Sequence, residues 1–112
     1  MKTRTSSKAE LKCRQILLDL GFSAHHCGYK QLKMGIPQFA LDDQQSLASE
    51  LYPYIVNELN YTDVDAVERS IGRSISFAWN NGNRAEWEKF FPGCDKAPSN
   101  KRFIATIAEF IK

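Results

Sequence analysis

Arg69 and Arg73 stand four residues apart, one helical turn, with Glu68 directly before the first of them. A guanidinium carries five N–H donors in a planar fork and keeps its charge at any physiological pH. Two of them on one face can grip phosphate oxygens or the O6 and N7 edge of guanine, and Glu68 could accept from a cytosine amino group or simply orient Arg69. The other cluster that invites chemistry is His25-His26-Cys27. Adjacent residues rarely converge on one metal ion, and the chain has no C-x-x-C, no H-E-x-x-H and no second histidine pair to complete four ligands. The simpler reading has one histidine capping the turn before Tyr29 and the other solvated. The phosphate-loop, dinucleotide and nucleophile-elbow motifs are absent, and the acidic residues are scattered rather than paired. No catalytic residue, metal, cofactor or small-molecule substrate is therefore expected.

The element that must position the arginines runs from Thr62 to Gly82. Val64, Val67, Ile71, Ile75 and Ala78 follow at steps of three, four, four and three, which draws one apolar stripe on a helix. Thr62 or Asp63 can cap its start, Asp65 suits the positive end of the helix dipole, and Gly82 can end it in the left-handed conformation. At 100° per residue, Arg69 and Arg73 point away from the stripe, with Ala66 and Ser76 beside them and Asp65 and Glu68 on the flank. Phe77 and Trp79 lie off the stripe, so the second half is expected to be enclosed and the first half to protrude. Such a helix suits a DNA groove. A solvated amphipathic helix explains the same pattern.

The 112 residues fit one domain that can bury its own core, with 43% hydrophobic and 25% charged residues. A net charge of +2 neither demands a nucleic-acid partner nor excludes one, so the case for DNA rests on where the charges sit. Cys13, Cys27 and Cys94 make an odd number, the N-terminus lacks an apolar signal region, and no run is long enough to span a membrane. A cytoplasmic setting with free thiols and no membrane partner is expected.

Residues 1–6 read as a disordered basic arm with Lys2 and Arg4, and residues 7–112 as a single domain. Ser7 with Glu10 forms a capping box for a first helix over about Lys8 to Leu20, whose face is Leu11, Ile16, Leu17 and Leu20, with Gly21 ending it. From Phe22 to Asp43 a helix is expected, interrupted by Gly35 and Pro37. Leu47, Leu51, Ile55 and Leu59 recur every four residues, and Pro53 splits them into a short helix ending near Tyr52 and another that it begins. That second helix, the turn Asn60-Tyr61-Thr62 and the long helix have the proportions of a helix-turn-helix. Asn83 with Glu86 starts a short helix carrying Trp87, Phe90 and Phe91, which Pro92-Gly93 stops. Ser99 or Asn100 caps a last helix with Phe103, Ile104, Ile107, Ala108 and Ile111 on its core face. No strand is expected. The fold class is all-α, a compact bundle of about six helices.

Leu51-Tyr52-Pro53 with Ile55, then Val67-Glu68-Arg69, Ile71, Ile75, Ala78-Trp79 and Gly82-Asn83, resembles the C-terminal DNA-binding effector domain of the stage-zero sporulation transcription factor A of endospore-forming bacteria. The similarity continues upstream in Gly21, Ala24-His25, Gly28-Tyr29 and Leu32, and downstream in Pro98, Asn100, Phe103-Ile104-Ala105 and Ala108. The resemblance implies a helix-turn-helix domain with its recognition helix over about residues 63–81, binding double-stranded DNA as paired or tandem protomers and activating or repressing transcription. In that family the domain follows a phosphorylatable receiver. Here none precedes it, so the chain is either a piece of a longer one or a free-standing relative, and the initiating methionine followed by a non-family arm favours the second.

Ala66 and Gly72 stand where the family carries arginine, Arg73 where it has histidine, and one extra residue lies before Val67. A bidentate arginine–guanine pair is worth roughly 1–3 kcal/mol of discrimination, so losing two arginines alters or weakens the sequence preference. Glycine in mid-helix costs about 1 kcal/mol against alanine, which makes sense at Gly72 if something approaches closely there. The expected contacts to bases or adjacent phosphates are Glu68, Arg69 and Arg73, with Asp65 and Ser76 on the same exposed surface. Arg84, Lys96, Lys101 and Arg102 are the expected phosphate contacts. The alternative function is that of a degenerate effector-domain relative acting as a protein-interaction module without DNA binding.

Overall fold

The helix Cys27–Leu41 (α2) is the centre of the molecule, with α1 (Ser7–Leu20), α3 (Tyr52–Leu59), α4 (Val64–Asn81) and α6 (Asn100–Ile111) packed around it. The computed structural model describes residues 7–112, and the arm expected over residues 1–6 lies outside them. Among the described residues there is no strand, and a short helix Arg84–Phe90 (α5) joins α4 to the loop before α6. The expected all-α architecture is the one observed.

α2 corrects the sequence reading, because it runs unbroken through Gly35 and Pro37. Proline removes one bond of the helical ladder and costs about 3 kcal/mol in an isolated helix. Ile36, Pro37 and Phe39 are buried here, and burying one large apolar side chain contributes about 1.5–3 kcal/mol, which offsets that loss. Gly35 is a contact point: a Cβ there would lie 2.8 Å from Ile55 Cδ1 of α3.

On α1 the buried face is Cys13, Leu17 and Leu20, with Ile16 half-buried, whereas Leu11, expected on that face, is 61% exposed. Cys13 takes the core position one turn before Leu17 and donates its S–H to the Leu32 main-chain oxygen of α2 at 3.8 Å. Burial in that setting pushes its thiol pKa up to about 12. The capping box expected at Ser7 rests on a side chain outside those described, and the helix itself begins at Ser7. α6 buries the five residues expected of it, and Ser99 caps it by accepting from the Arg102 amide at 3.2 Å.

A single π-helical turn, Leu47–Leu51, leads directly into α3. Its start is closed reciprocally: the Ser46 hydroxyl accepts from the Ser49 amide, and the Glu50 carboxylate accepts from the Ser46 amide. Pro53 sits in the first turn of α3, just where the π-helical bonding of the preceding turn ends.

The far ends of α1 and α4 meet at Gly21 and Gly82. Gly21 has φ of 105°, open to glycine, and a Cβ on it would lie 2.7 Å from Gly82 Cα. Gly82 is extended (φ −88°, ψ −175°), not left-handed as expected; what its position demands is smallness, since a Cβ would lie 2.0 Å from the Leu20 oxygen. The Trp87 indole N–H reaches this junction from α5 and donates to the oxygens of Leu20 at 2.9 Å and Ala78 at 3.3 Å. Two helix C-termini thereby share one buried donor, under a cluster of Phe22, Trp79, Phe91 and Phe103 rings.

Candidate nucleic-acid interface

α3, the turn and α4 form the expected helix-turn-helix. Asn60 closes α3 with φ of 58°, a left-handed conformation that asparagine tolerates, and its N–H bonds to the Val56 oxygen. Asp63 begins α4 by accepting from the Ala66 amide at 2.8 Å, and Asp65 adds a carboxylate to the first turn. The inward side of α4 is Val67, Ile71, Ser74, Ile75, Ala78 and Trp79, with Val64 half-buried at the start. The outward side exposes Arg69, Arg73 and Ser76, with Asp65 and Glu68 exposed towards one flank. One expectation fails here. Trp79 is enclosed, but Phe77 is 42% exposed on the flank, where its ring meets the His26 ring edge-on-face at 4.8 Å between centroids.

A hollow borders α4 on each flank. The first is lined by Leu47, Ala48 and Tyr52, by Glu68 and Arg69 of α4, and by Ser99, Asn100 and Lys101 at the start of α6. Beneath it, the Asn100 side-chain amide donates to the Glu68 main-chain oxygen at 3.0 Å and to the Tyr52 hydroxyl at 3.3 Å. Burial pushes the Tyr52 phenol above its usual range, opposed by the Asn100 bond and assisted by the nearby Glu68 charge. What approaches Gly72 is Asn100 itself: a Cβ on Gly72 would lie 3.4 Å from Asn100 Oδ1.

The second hollow is lined by His25, His26 and Cys27, by Ser70, Arg73, Ser74 and Phe77. It exists because α2 starts flush against α4: a Cβ on Gly28 would lie 2.0 Å from Ser74 Oγ and 3.0 Å from the Ser70 oxygen. One histidine caps the turn before Tyr29 and the other, His25, is exposed. His26 occupies the N-cap position of α2 without a side-chain bond, and only its main-chain oxygen accepts from the Tyr29 amide. Among the described residues no group of three or more His, Cys, Asp or Glu lies where it could hold a metal ion.

The expected phosphate contacts separate into three places. Lys101 shares the first hollow with Arg69. Lys96 and Arg102 line a groove of their own with the loop Pro92 to Ser99, and the Arg102 guanidinium also lies 5.7 Å from the Phe91 ring centroid. Arg84 stacks 4.0 Å above the Trp79 ring and covers that edge of the aromatic cluster. Asn100, expected only as an alternative to Ser99 in capping α6, instead bonds across to α3 and α4, although it is also among the residues of the resemblance. The signal available was its place two residues after Pro98, at a helix start.

A match to a family model now decides what this arrangement belongs to: residues 13–111 match the family described as sporulation initiation factor Spo0A C terminal. The chain belongs to this family. The Spo0A C-terminal domain is the DNA-binding domain of a sporulation transcription factor, and its family is not one of enzymes. Among the described residues no helix is long and apolar enough to cross a membrane.

Proposed function

We propose that the chain binds double-stranded DNA sequence-specifically, with α4 lying in the major groove, and regulates transcription in the cytoplasm, in a process connected with sporulation. The observation that carries this reading is the outward face of α4. Arg69 and Arg73 are exposed one turn apart on the second helix of a helix-turn-helix whose start is capped and whose first half stands clear of the aromatic cluster. In this reading Arg69 and Arg73 contact base edges or adjacent phosphates, with Glu68 turned towards a cytosine amino group. Ser76 and Asp65 border the same surface. Lys101 takes a phosphate on one side of the groove, and Lys96 and Arg102 take phosphates farther along the backbone. Arg84 acts mainly through its stack on Trp79.

Half-sites read by paired or tandem protomers suit a short recognition surface of this kind. Ala66 and Gly72 contribute no charge to it, so the sequence preference differs from that of relatives with arginine there.

The test is selection from a random duplex pool at two salt concentrations, comparing the parent with an Arg69→Ala, Arg73→Ala double variant. The reading requires enrichment of a motif, affinity that falls steeply with salt, and loss of enrichment in the variant. A folded parent that retains no DNA at low salt would overturn it in favour of a protein-interaction module.

A further inference from the structure

We propose that Asn100 is a positioning residue for DNA binding: its side-chain amide sets the separation of Arg69 on α4 and Lys101 on α6, so that the two cations engage the DNA backbone as one unit. This rests on the reading that α4 enters the groove. Asn100 donates to the main-chain oxygen of Glu68, the residue immediately before Arg69, and is itself the residue immediately before Lys101. The hydrogen bond therefore joins the two backbones at the points from which the two cationic side chains leave, and both side chains line the same hollow.

Two further features make this a fixed joint. The Tyr52 hydroxyl, on a side chain 2% exposed, accepts from the same amide nitrogen at 3.3 Å and restrains its rotation. Ser99 caps α6 immediately before Asn100, which fixes the main chain there. The Glu68 carbonyl can accept from Asn100 without leaving the helical ladder, because its oxygen has two lone pairs.

The experiment measures the salt dependence of binding to random-sequence duplex DNA for the parent, Lys101→Ala, Asn100→Ala and the Asn100→Ala, Lys101→Ala double variant. In the parent background, removing Lys101 is expected to reduce the magnitude of the log–log salt slope by about 1, the signature of one lost phosphate contact. In the Asn100→Ala background the same lysine change is expected to leave the slope unaltered, because Lys101 no longer reaches its phosphate when the joint is gone. Asn100→Asp, nearly isosteric but unable to donate to the Glu68 oxygen, repeats the comparison if the alanine variant folds poorly. A purely structural role would lower the melting temperature and leave the Lys101 effect on the slope equal in both backgrounds, which would overturn the proposal. So would a Lys101→Ala change without effect in the parent. A parent that binds no DNA at low salt overturns this proposal together with the reading beneath it, whereas the other two results leave that reading standing.

Discussion

Replacing Trp87 by phenylalanine isolates the contribution of one indole N–H and one ring. The Ala78 oxygen retains the Gly82 amide at 2.7 Å, but the Leu20 oxygen loses the side-chain donor that reaches it from α5. A buried carbonyl without its partner costs about 1–3 kcal/mol. The smaller ring also withdraws two carbons from contact with Phe22, Trp79, Phe91 and Phe103, at about 0.8 kcal/mol per carbon. Together these give a loss on the order of 3–4 kcal/mol, a large part of the 5–15 kcal/mol typical of a whole domain. For a domain of this length the melting temperature should fall by about 14 °C, at roughly 4 °C per kcal/mol. Thermal and urea unfolding followed by helical circular dichroism would measure it. DNA affinity at a temperature where the variant is folded should stay within about twofold of the parent, because Trp87 lies at the other end of α4 from Arg69. A stability loss below 1 kcal/mol, or intact stability with DNA binding gone, would refute the account of the junction.

Gly72→Ala should stabilise the domain by up to about 1 kcal/mol, since the added methyl meets Asn100 at an ordinary contact distance of 3.4 Å and the helix gains propensity; urea unfolding checks it. A thiol reagent on the native protein should label exposed Cys27 first and leave Cys13 unmodified until the chain unfolds, as read by mass spectrometry of the labelled peptides. The Cys13 pKa is raised on folding, so its contribution to stability is full below the unfolded value of 9.0 and declines as pH rises from there towards about 12; Cys13→Ala should flatten that alkaline limb. Lys112 bonds to Asp43 at 2.6 Å and holds its carboxyl below 3.8, so the pair contributes above that pH and its contribution is lost as the pH falls through the folded value. Asp43→Asn should remove that acid dependence with a small effect at neutral pH, because both groups are solvated.

The parts legible in the sequence are those where one residue type has one physical role. The α4 stripe, the α6 stripe, Pro53 at the start of α3 and the choice of cap to within two residues (Thr62 or Asp63, Ser99 or Asn100) follow from helical period and capping chemistry alone, and the structure selects Asp63 and Ser99. Where two causes compete, local rules fail. Pro37 argues for a break, yet tertiary burial of its neighbours overrides it. Gly82 is a good left-handed terminator by type, but it is glycine because another backbone passes at its Cα. Cys13 and Leu11 differ in which of them the bundle covers, which depends on where α2 lies. The candidate interface divides similarly. Exposure of Arg69 and Arg73 follows from helix geometry, whereas the hollows depend on which helix starts beside α4, and Asn100 and Gly28 acquire their parts only from that assembly.

The Trp87 junction also bears on the order in which the chain matures. Its hydrogen bond to Leu20 spans 67 residues, and closing a loop of that length costs on the order of 4 kcal/mol of chain entropy. The Cys13 to Leu32 contact between α1 and α2 spans only 19, so the hairpin of these two helices can close while the rest is still being synthesised. α4 is complete at Asn81, before either Trp87 to lock its end or Asn100 to hold its first half has been added. During synthesis α4 is therefore complete well before it is held in place, and its final setting in the bundle is reached only when the last helix emerges.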